Sequence, residues 1–371
     1  MRIINNQDNI LIFADLTSPL MQPRIMMLKE LPYNKFILHN ANNAIINDSV
    51  IEEYKGFTIL QHPKIFLLKI RYLYSFFYTL YLLLKLRPKL IVVHWASRLY
   101  QNLLLSLWGN RVIVHTMGGD IDDKQDYHGK KKFFVDKLLK SCKVISVKSN
   151  FMRFIIQKNN AKIDLTKIVH ISWGVSECFL KKSSPQDKIQ MQYRLFGREF
   201  ECLFFSIRAF DPFYRQMEII KTFLDLFADN PKVGLIVSTS RKREDYYSEI
   251  FKKINLNIFL CDIPHFEMQK YILASDCIVS FAKSDGLPQS IMEGLAMDKW
   301  ILCNNLPNYC ELLNQDNAIL FDDVDGLSRG YSRILEVKEN KPKKHKGIEL
   351  ILNSNLQKQN YLKILKENFN V

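Results

Sequence analysis

The 371-residue sequence lacks the features that would carry it through or across a membrane. Its longest apolar run, residues 73–84, is well short of the roughly 20 apolar residues that a transmembrane helix needs. The first residues do not follow the basic-then-apolar order of a signal peptide, so we expect a cytoplasmic protein. The seven cysteines are scattered and form no Cys-x-x-Cys pair, which fits a reducing compartment and leaves no zinc-binding spacing.

The positive charge is concentrated in the first half of the chain. The formal net charge is +14, of which +12 falls in residues 1–180 and +2 in residues 181–371. This asymmetry favours a polyanionic partner, whether a membrane surface, a nucleic acid or a phosphorylated substrate, while solubility alone is the simpler explanation. Basic residues flank the apolar run: Lys69, Arg71, Lys85, Arg87 and Lys89. Such a helix either packs on a sheet or also lies on an anionic membrane surface.

Short apolar strands alternate with helical segments along the chain. Near-continuous Val, Ile and Leu runs are typical of parallel strands buried on both faces, and their alternation with helices predicts doubly wound sheets. Six strands are predicted in the first half, at 9–16, 35–40, 88–95, 111–118, 143–149 and 167–174. Six more are predicted at 201–210, 232–240, 257–262, 277–282, 300–305 and 318–322. The main helices are predicted at 69–86, 97–108, 130–141, 150–159, 217–229, 245–254, 266–276, 288–297 and 348–368.

A polar segment, residues 181–199, separates the two sets of strands and reads as a linker with a short helix. We therefore predict an α/β protein with two facing Rossmann-like domains, residues 1–180 and 181–345. The C-terminal helix, within residues 346–371, is expected to pack back towards the N-terminal domain. Ligands of such sheets bind at the carboxyl ends of the strands, so the predicted cleft between the domains is the expected site.

The sequence KSDGLPQSIMEGLAM, residues 283–297, follows one of these strands. Pro288 suits the first turn of a helix, and the free N–H groups at that helix start would attract an anion. Asp285 and Glu293 would then accept hydrogen bonds from hydroxyls of the same ligand. The stretch alone fits an alternative equally well, in which Asp285 caps the helix and Glu293 is a surface residue.

This stretch resembles the E-x7-E signature of the retaining glycosyltransferases of family 4. Asp285 stands in the place of the first Glu and Glu293 in the place of the second. Residues 206–223 resemble the segment of that family that carries the phosphate-binding Arg and Lys. Arg208 takes the Arg position, Phe213 stands where Lys is often found, and Arg215 is the candidate to supply that cation.

The resemblance covers about residues 85–335. Residues 115–120 resemble the H-G-x-D turn of the family, with His115, Gly119 and Asp120 facing the cleft. A satisfied structural histidine is the alternative for His115. The Gly-Gly loop that many members carry after their first strand is absent, because residues 14–24 contain no glycine.

What the resemblance implies is a GT-B fold and transfer of a hexose-type sugar from a nucleotide-diphosphate sugar, UDP- or GDP-linked, with retention of configuration. It implies no metal or other cofactor, and DIDD (120–123) reads as loop. The catalytic set would be Asp285, Glu293 and His115. Donor-binding residues would be Arg208, Arg215, Ile263, Gly286, Leu287, Pro288, Gln289 and Glu293. Gly119 and Asp120 would lie on the acceptor side.

The basic N-terminal domain would take the acceptor. A glycan or polyprenyl-diphosphate-linked saccharide, at the inner face of the cytoplasmic membrane, would account for both the charge and the aromatic-basic segment 66–89. This points to bacterial envelope polysaccharide synthesis, such as O-antigen, capsule or exopolysaccharide, with a peripheral membrane enzyme and no nucleic acid. Two alternatives stay open: a sugar-nucleotide 2-epimerase of the same fold, and a basic nucleic-acid-binding protein.

Overall fold

The computed structural model describes residues 8–18, 20–39, 46, 48–62, 68–96, 99–122, 127–239, 256–344 and 346–371. The chain forms two compact units. Unit 1 comprises Met1–Trp173 and Asn355–Val371, and unit 2 comprises Gly174–Ser354. Each unit is built on one parallel sheet, so the predicted α/β class is confirmed. The chain passes from unit 1 to unit 2 between residues 173 and 174 and returns to unit 1 between residues 354 and 355. The boundaries predicted from the sequence lie between residues 180 and 181 and between residues 345 and 346.

Unit 1 contains a seven-stranded parallel sheet in the order β3-β2-β1-β4-β5-β6-β7. Its strands are β1 (Asn9–Ala14), β2 (Asn34–His39), β3 (Thr58–Leu60), β4 (Leu90–His94), β5 (Val112–His115), β6 (Val144–Val147) and β7 (Ile168–His170). Its described helices in the first part of the chain are α1 (Met21–Met26), α2 (Asp48–Glu53), α3 (Leu68–Leu86), α4 (Leu99–Leu105), α5 (Gly129–Ser141) and α6 (Asn150–Asn159).

Unit 2 contains a six-stranded parallel sheet in the order β10-β9-β8-β11-β12-β13. Its strands are β8 (Cys202–Ser206), β9 (Val233–Ser238), β10 (Ile258–Cys261), β11 (Cys277–Ser280), β12 (Trp300–Asn304) and β13 (Ala318–Phe321). Its described helices are α7 (Pro185–Phe196), α8 (Gln216–Phe227), α9 (Met268–Ala274), α10 (Gln289–Ala296), α11 (Val324–Val337) and α12 (Lys346–Leu352). The last helix of the chain is α13 (Ser354–Phe369).

Both sheets are buried on both faces, as their near-continuous apolar strands predict. All residues of β1 are buried, and its side chains alternate between two apolar clusters: Leu11 and Phe13 enter one, Ile10 and Ile12 the other. The central strand β8 of unit 2 follows the same rule. This period of two places the central strands between two apolar layers, so ligands can reach these strands at their ends rather than at their faces.

Short elements escaped the sequence analysis. Strand β3 has three residues and lies at the sheet edge, which is too short for an apolar run to stand out. Helices α1 and α2 have six residues each, less than two helical turns. The predicted helix at 245–254 lies outside the described residues.

The polar segment 181–199 is more than a linker, because helix α7 packs it into unit 2. Ser184 and Asp187 form a capping box at the helix start. Gln192 is fully buried and its side-chain amide donates to the carbonyl oxygen of Ala274 at 2.8 Å. Hydrogen-bond partners distant in sequence therefore anchor one buried residue of a segment that is otherwise largely exposed.

The helix predicted at 348–368 is two helices, α12 and α13. Asn353 lies at the break and its backbone bridges to Val175. Helix α12 belongs to unit 2, and from Asn355 onward the chain belongs to unit 1, where Tyr361 is buried in the core. The break depends on pairing with a segment about 180 residues away, which no local pattern reports.

Helix α3 carries apolar residues on both of its sides, and Leu82, Leu83 and Leu86 are buried in the core. Ser75 and Thr79 are buried, and both accept a hydrogen bond from the side-chain amide of Gln101 at 3.1 Å. At 100° per residue the opposite side carries the exposed apolar residues, which are Leu73, Phe77, Tyr81 and Leu84. No helix in the described part of the chain is both long and apolar enough to cross a bilayer.

Gly174, the first residue of unit 2, has a positive φ of +68°. A Cβ atom at this position would lie 2.5 Å from the backbone nitrogen of Ser354. The next residue, Val175, donates its N–H to the carbonyl oxygen of Leu352 at 2.9 Å. Two backbone segments therefore approach so closely that only glycine fits.

We expect Gly174→Ala to lower the free energy of unfolding by about 3 kcal/mol, because left-handed backbone strain adds to a clash with fixed backbone atoms. Gly197→Ala is the matched control. Gly197 has nearly the same φ, +71°, but open space around its Cβ position, so its loss should stay near 1 kcal/mol. Urea titration of both variants tests this, and equal losses would contradict the steric argument.

Candidate functional site

Two adjacent strands of unit 2 bring Arg208 and Asp285 together. Strand β8 pairs in parallel with β11, so both strands end at the same edge of the sheet. Arg208 follows β8 and Asp285 lies in the loop after β11. The guanidinium Nη2 is 2.9 Å from the Asp285 Oδ2 atom, and both side chains are nearly buried. Sheet topology thus unites two residues that are 77 positions apart in the chain.

Both carboxylate oxygens of Asp285 are engaged. Oδ1 accepts the N–H of Gly286 at 2.9 Å, and Oδ2 accepts the hydroxyl of Tyr309 at 3.2 Å besides the Arg208 ion pair. Helix α10 begins at Gln289, with Pro288 as the N-cap residue and no side-chain cap. The helix-cap interpretation of Asp285 is therefore wrong, and Pro288, the N-cap residue, offers no side-chain acceptor to the N–H groups of the first turn of α10.

Arg208 is fixed from several sides. Its Nη1 donates to the Ser290 hydroxyl at 3.2 Å, and its guanidinium lies 4.4 Å from the centre of the Tyr214 ring. Burial lowers the pKa of Arg208 most strongly, but the Asp285 carboxylate together with Tyr214 and Tyr309 outweighs burial, so the pKa is raised. The cation is therefore permanent and is held against the first turn of α10.

Glu293 lies in the second turn of α10 and is only 3% exposed, so the surface interpretation is wrong. Its Oε1 is 3.4 Å from Nε2 of His265, which follows β10. Burial raises the pKa of Glu293, and hydrogen bonding and charge from His265 partly offset that rise. A buried carboxylate of this kind accepts hydrogen bonds strongly, since little water competes for it.

Arg215 carries a second cation at this end of the sheet. It adopts a left-handed backbone, φ +48°, at the N-cap of α8. Its guanidinium lies 4.4 Å from the centre of the Phe281 ring, in the loop after β11. No carboxylate among the described residues pairs with Arg215. Phe213, at the position where the resembling family often has Lys, belongs to a short turn before α8 and offers no charge.

The remaining donor-side candidates are backbone or core positions. Asn308 donates to the carbonyl oxygen of Gly286, and Gln289 donates to that of Gly174 at 2.8 Å. The side chains of Leu287 and Ile263 are buried in the apolar core of unit 2. These contacts fix the loop between β11 and α10.

His115, at the end of β5 in unit 1, has no exposed surface. Its Nδ1 is 2.6 Å from the Ser146 hydroxyl and its Nε2 is 3.0 Å from the Tyr361 hydroxyl. Burial, followed by the neighbouring His94, lowers its pKa well below the ordinary value. This environment matches a satisfied structural histidine, and a catalytic role for His115 stays a prediction.

Asp120 stabilises the turn after β5. It is fully buried and accepts backbone N–H groups from Ala96 at 3.1 Å, Met117 at 2.9 Å and Gly118 at 3.1 Å. Burial raises the pKa of Asp120, and these hydrogen bonds oppose the rise. Gly118 and not Gly119 has the positive φ, +110°. Within the described residues no group of three or more His, Cys, Asp or Glu side chains is arranged to hold a metal ion.

Sequence reasoning missed the residues that support the candidates. Tyr214, His265 and Tyr309 sit beside Arg208, Glu293 and Asp285 respectively. None belongs to a charged or glycine-rich pattern. Only their place in the chain could have pointed to them, because each lies within a few residues of a predicted strand end or helix start.

Neither a protein-family model nor a curated protein matches the sequence, whereas solved structures do. A glycosyltransferase from Rickettsia africae has a TM-score of 0.74 and 16% identity, covering 98% of this chain and 99% of its own. HepE from Anabaena, in complex with UDP, has a TM-score of 0.75 and 13% identity, covering 97% and 100%. Sucrose-phosphate synthase from Thermosynechococcus elongatus has a TM-score of 0.77 and 12% identity, covering 98% and 100%.

The fold is that of the GT-B glycosyltransferases. This agrees with the two parallel sheets and with the resemblance drawn from residues 283–297. At 12–16% identity the GT-B likeness establishes architecture, so the chemistry must be argued from the residues themselves.

We expect the Arg208–Asp285 pair to be strongly coupled. Arg208→Met or Asp285→Asn alone should cost about 3 kcal/mol, because each leaves an unpaired buried charge, while the double variant should lose much less than the sum. The exposed pair Arg333–Glu336, with both side chains 61% exposed, is the control and should show almost no coupling. Urea titrations of the two cycles give the coupling energies, and additive losses at 208 and 285 would refute the interpretation.

Proposed function

We propose that the protein is a retaining glycosyltransferase that takes a hexose-type sugar from a nucleotide-diphosphate sugar bound to unit 2. One observation carries the proposal: two cations, Arg208 and Arg215, lie at the same sheet end as the uncapped start of α10. Such an arrangement suits a diphosphate. The GT-B fold supports it, and HepE of Anabaena is known in complex with UDP and with UDP-glucose.

In this proposal the diphosphate lies against Arg208, Arg215 and the first turn of α10. These groups neutralise its charge, so no metal ion is invoked. Asp285 serves as the counter-ion that orients Arg208, and the backbone of residues 286–289 holds the donor sugar. Glu293 accepts the ribose hydroxyls, with His265 beside it, while Ile263 and Pro264 frame the base.

The transfer step needs few protein groups. The bond between the anomeric carbon and the diphosphate oxygen breaks, and the acceptor hydroxyl oxygen bonds to that carbon on the same face. The hydroxyl proton passes to the leaving diphosphate. Arg208 and Arg215 stabilise the charge that develops on that leaving group. The resemblance of residues 283–297 to the E-x7-E signature supports retention.

In the proposed donor site, some residues contact the diphosphate and others contact the nucleoside, so the two kinds of contact can be tested separately. Arg215→Met should weaken UDP binding by roughly tenfold and leave uridine binding unchanged, because it removes a charge-assisted hydrogen bond to phosphate. Glu293→Gln should weaken UDP and uridine binding alike, because both carry the ribose. Isothermal titration of each ligand gives the ratios, and a parallel screen of UDP and GDP decides the base.

Glu336→Gln is the matched control for Glu293→Gln, since Glu336 is an exposed glutamate of α11. It should leave both affinities unchanged. Wild-type protein that binds neither UDP nor GDP, or an Arg215→Met variant that binds UDP normally, would refute the donor site.

The acceptor proposal is a glycan or polyprenyl-diphosphate-linked saccharide, handled by unit 1 at the inner face of the cytoplasmic membrane. The exposed apolar stripe of α3 supports it, because monomeric proteins rarely expose large apolar side chains in a row. Basic residues lie at the helix end, with Lys85 in the last turn and the exposed Arg87 just beyond it. Apolar insertion with anionic attraction is how peripheral helices bind bilayers. A bacterial envelope polysaccharide pathway is the proposed context.

Phe77→Glu should reduce the fraction that floats with phosphatidylglycerol vesicles several-fold at low salt, because it puts a negative charge on the inserting face. Phe154→Glu is the matched control, since Phe77 and Phe154 belong to unit 1 and are 56% and 55% exposed. Equal flotation of both variants, or none of the wild type, would rule out the membrane proposal. The epimerase and nucleic-acid alternatives find no specific support in the structure.

A further inference from the structure

A second group of buried polar side chains lies at the carboxyl end of the unit 1 sheet. Strands β1, β4 and β5 are neighbours there. His94 ends β4, His115 ends β5, and Arg24 lies on α1 shortly after β1. The rings of His94 and His115 are 4.7 Å apart between centroids. In parallel sheets this edge is where ligands bind.

Arg24 is buried without a counter-ion. Its side chain is 2% exposed, its Nη1 lies 2.7 Å from the Met117 sulfur, and its guanidinium is 5.2 Å from the centre of the Trp173 ring. The Nη2 atom has no hydrogen-bond partner, and no described carboxylate forms an ion pair with Arg24. A sulfur and an aromatic face compensate a buried cation poorly, so most of the desolvation cost of Arg24 is not offset.

The surrounding groups do not supply the missing charge. Burial, followed by the charge of Arg24, lowers the pKa of His94 to about 3, so that imidazole is neutral. Both ring nitrogens of His94 lack a partner among the described residues. Asp120, at the end of the same sheet, already accepts three backbone N–H groups. Burial also lowers the pKa of Arg24, to about 9, which still leaves it charged at neutral pH.

Arg24 and His94 therefore both lie near the Trp173 ring, and both keep buried nitrogens without a hydrogen-bond partner among the described residues. Buried polar groups in native proteins are normally satisfied, and exceptions call for a ligand, an ion or a functional role. Neutral His94 can donate one N–H, and the Arg24 fork can donate from Nη2. Met117 is only partly buried, and its unbranched side chain can rotate away from Arg24 to admit a ligand.

We propose that Arg24 and His94 form an oxyanion subsite that binds a phosphate or carboxylate group of the acceptor. This inference rests on the proposed function, because only a transferase has an acceptor. It adds that the acceptor carries an anionic group. The oxyanion would receive the Arg24 Nη2 hydrogens and one His94 N–H. It would supply the negative charge that the described residues of unit 1 do not place beside Arg24.

Inorganic phosphate and acetate test the subsite by thermal shift on the full chain, with UDP present in saturating amount to occupy the donor site. We expect phosphate, acetate or both to raise the melting temperature of the wild type by a few degrees. Arg24→Met should abolish that rise and, without ligand, melt at or above the wild-type temperature, because an uncompensated charge is gone. The response to UDP alone should be the same in both.

Arg87→Met is the matched control, since it makes the same change at an exposed arginine of unit 1 just before β4. It should keep the full anion response. Arg24→Lys is the second variant. Arg24→Lys retains the positive charge but lacks the guanidinium group, so its thermal shift with anions should be reduced but present. This variant decides the question if Arg24→Met does not fold.

The outcomes separate the two proposals. Absence of any response to either UDP or GDP, together with an Arg24-dependent anion response, would refute the donor site and leave the oxyanion subsite standing. Two results would overturn the subsite, and in both of them a normal UDP response would leave the donor site standing. One is a wild type that responds to neither anion. The other is an anion response that Arg24→Met and Arg24→Lys leave unchanged.

Discussion

Parallel pairing of neighbouring strands is the constraint on which both polar groups of this protein depend. Because β8 and β11 run in the same direction and end at one edge, Arg208 meets Asp285 although the chain separates them widely. The same geometry at β1, β4 and β5 gathers Arg24, His94 and His115. Each sheet is sealed on both faces by apolar layers, so the strand ends are the places where charged side chains can collect.

The two groups solve the problem of a buried cation differently. In unit 2, Asp285 balances Arg208, and tyrosine and serine side chains complete the shell, so the cation is held ready without a ligand. In unit 1, Arg24 is left against sulfur and an aromatic ring. Arg208 is balanced by Asp285 before any ligand binds, whereas Arg24 is not. In the proposed subsite, only Arg24 would gain its counter-ion on ligand binding.

The sequence pattern of α3 correctly predicts a helix but does not show which side of that helix faces the core. Its sequence predicts a helix, and the structure has one. The buried side holds Leu82, Leu83 and Leu86 as well as Ser75 and Thr79, which accept hydrogen bonds from Gln101, while other leucine and aromatic side chains face outward. Composition cannot reveal which apolar side chains face outward, because both sides of the helix carry them and the partner of the two hydroxyls comes from the following helix. An outward apolar stripe is what a lipid surface requires and what an ordinary core helix avoids.

Most of the fold was predictable because short apolar strands alternate with helices, a pattern typical of parallel α/β sheets. The residues 283–297 likewise pointed to a site from their own order. The sequence could not assign Asp285 to Arg208, bury Glu293 beside His265, or show His115 satisfied by Ser146 and Tyr361. It did not single out Arg24 or His94 at all.

The amino-acid order by itself determined the strand and helix periods, the number of sheets and the chemistry available at the strand ends. The tertiary structure alone decided which charges are paired and which are not. The physical reason is range: hydrophobic periodicity is read over a few residues, whereas a counter-ion or hydrogen-bond partner is selected from any part of the chain that packs nearby.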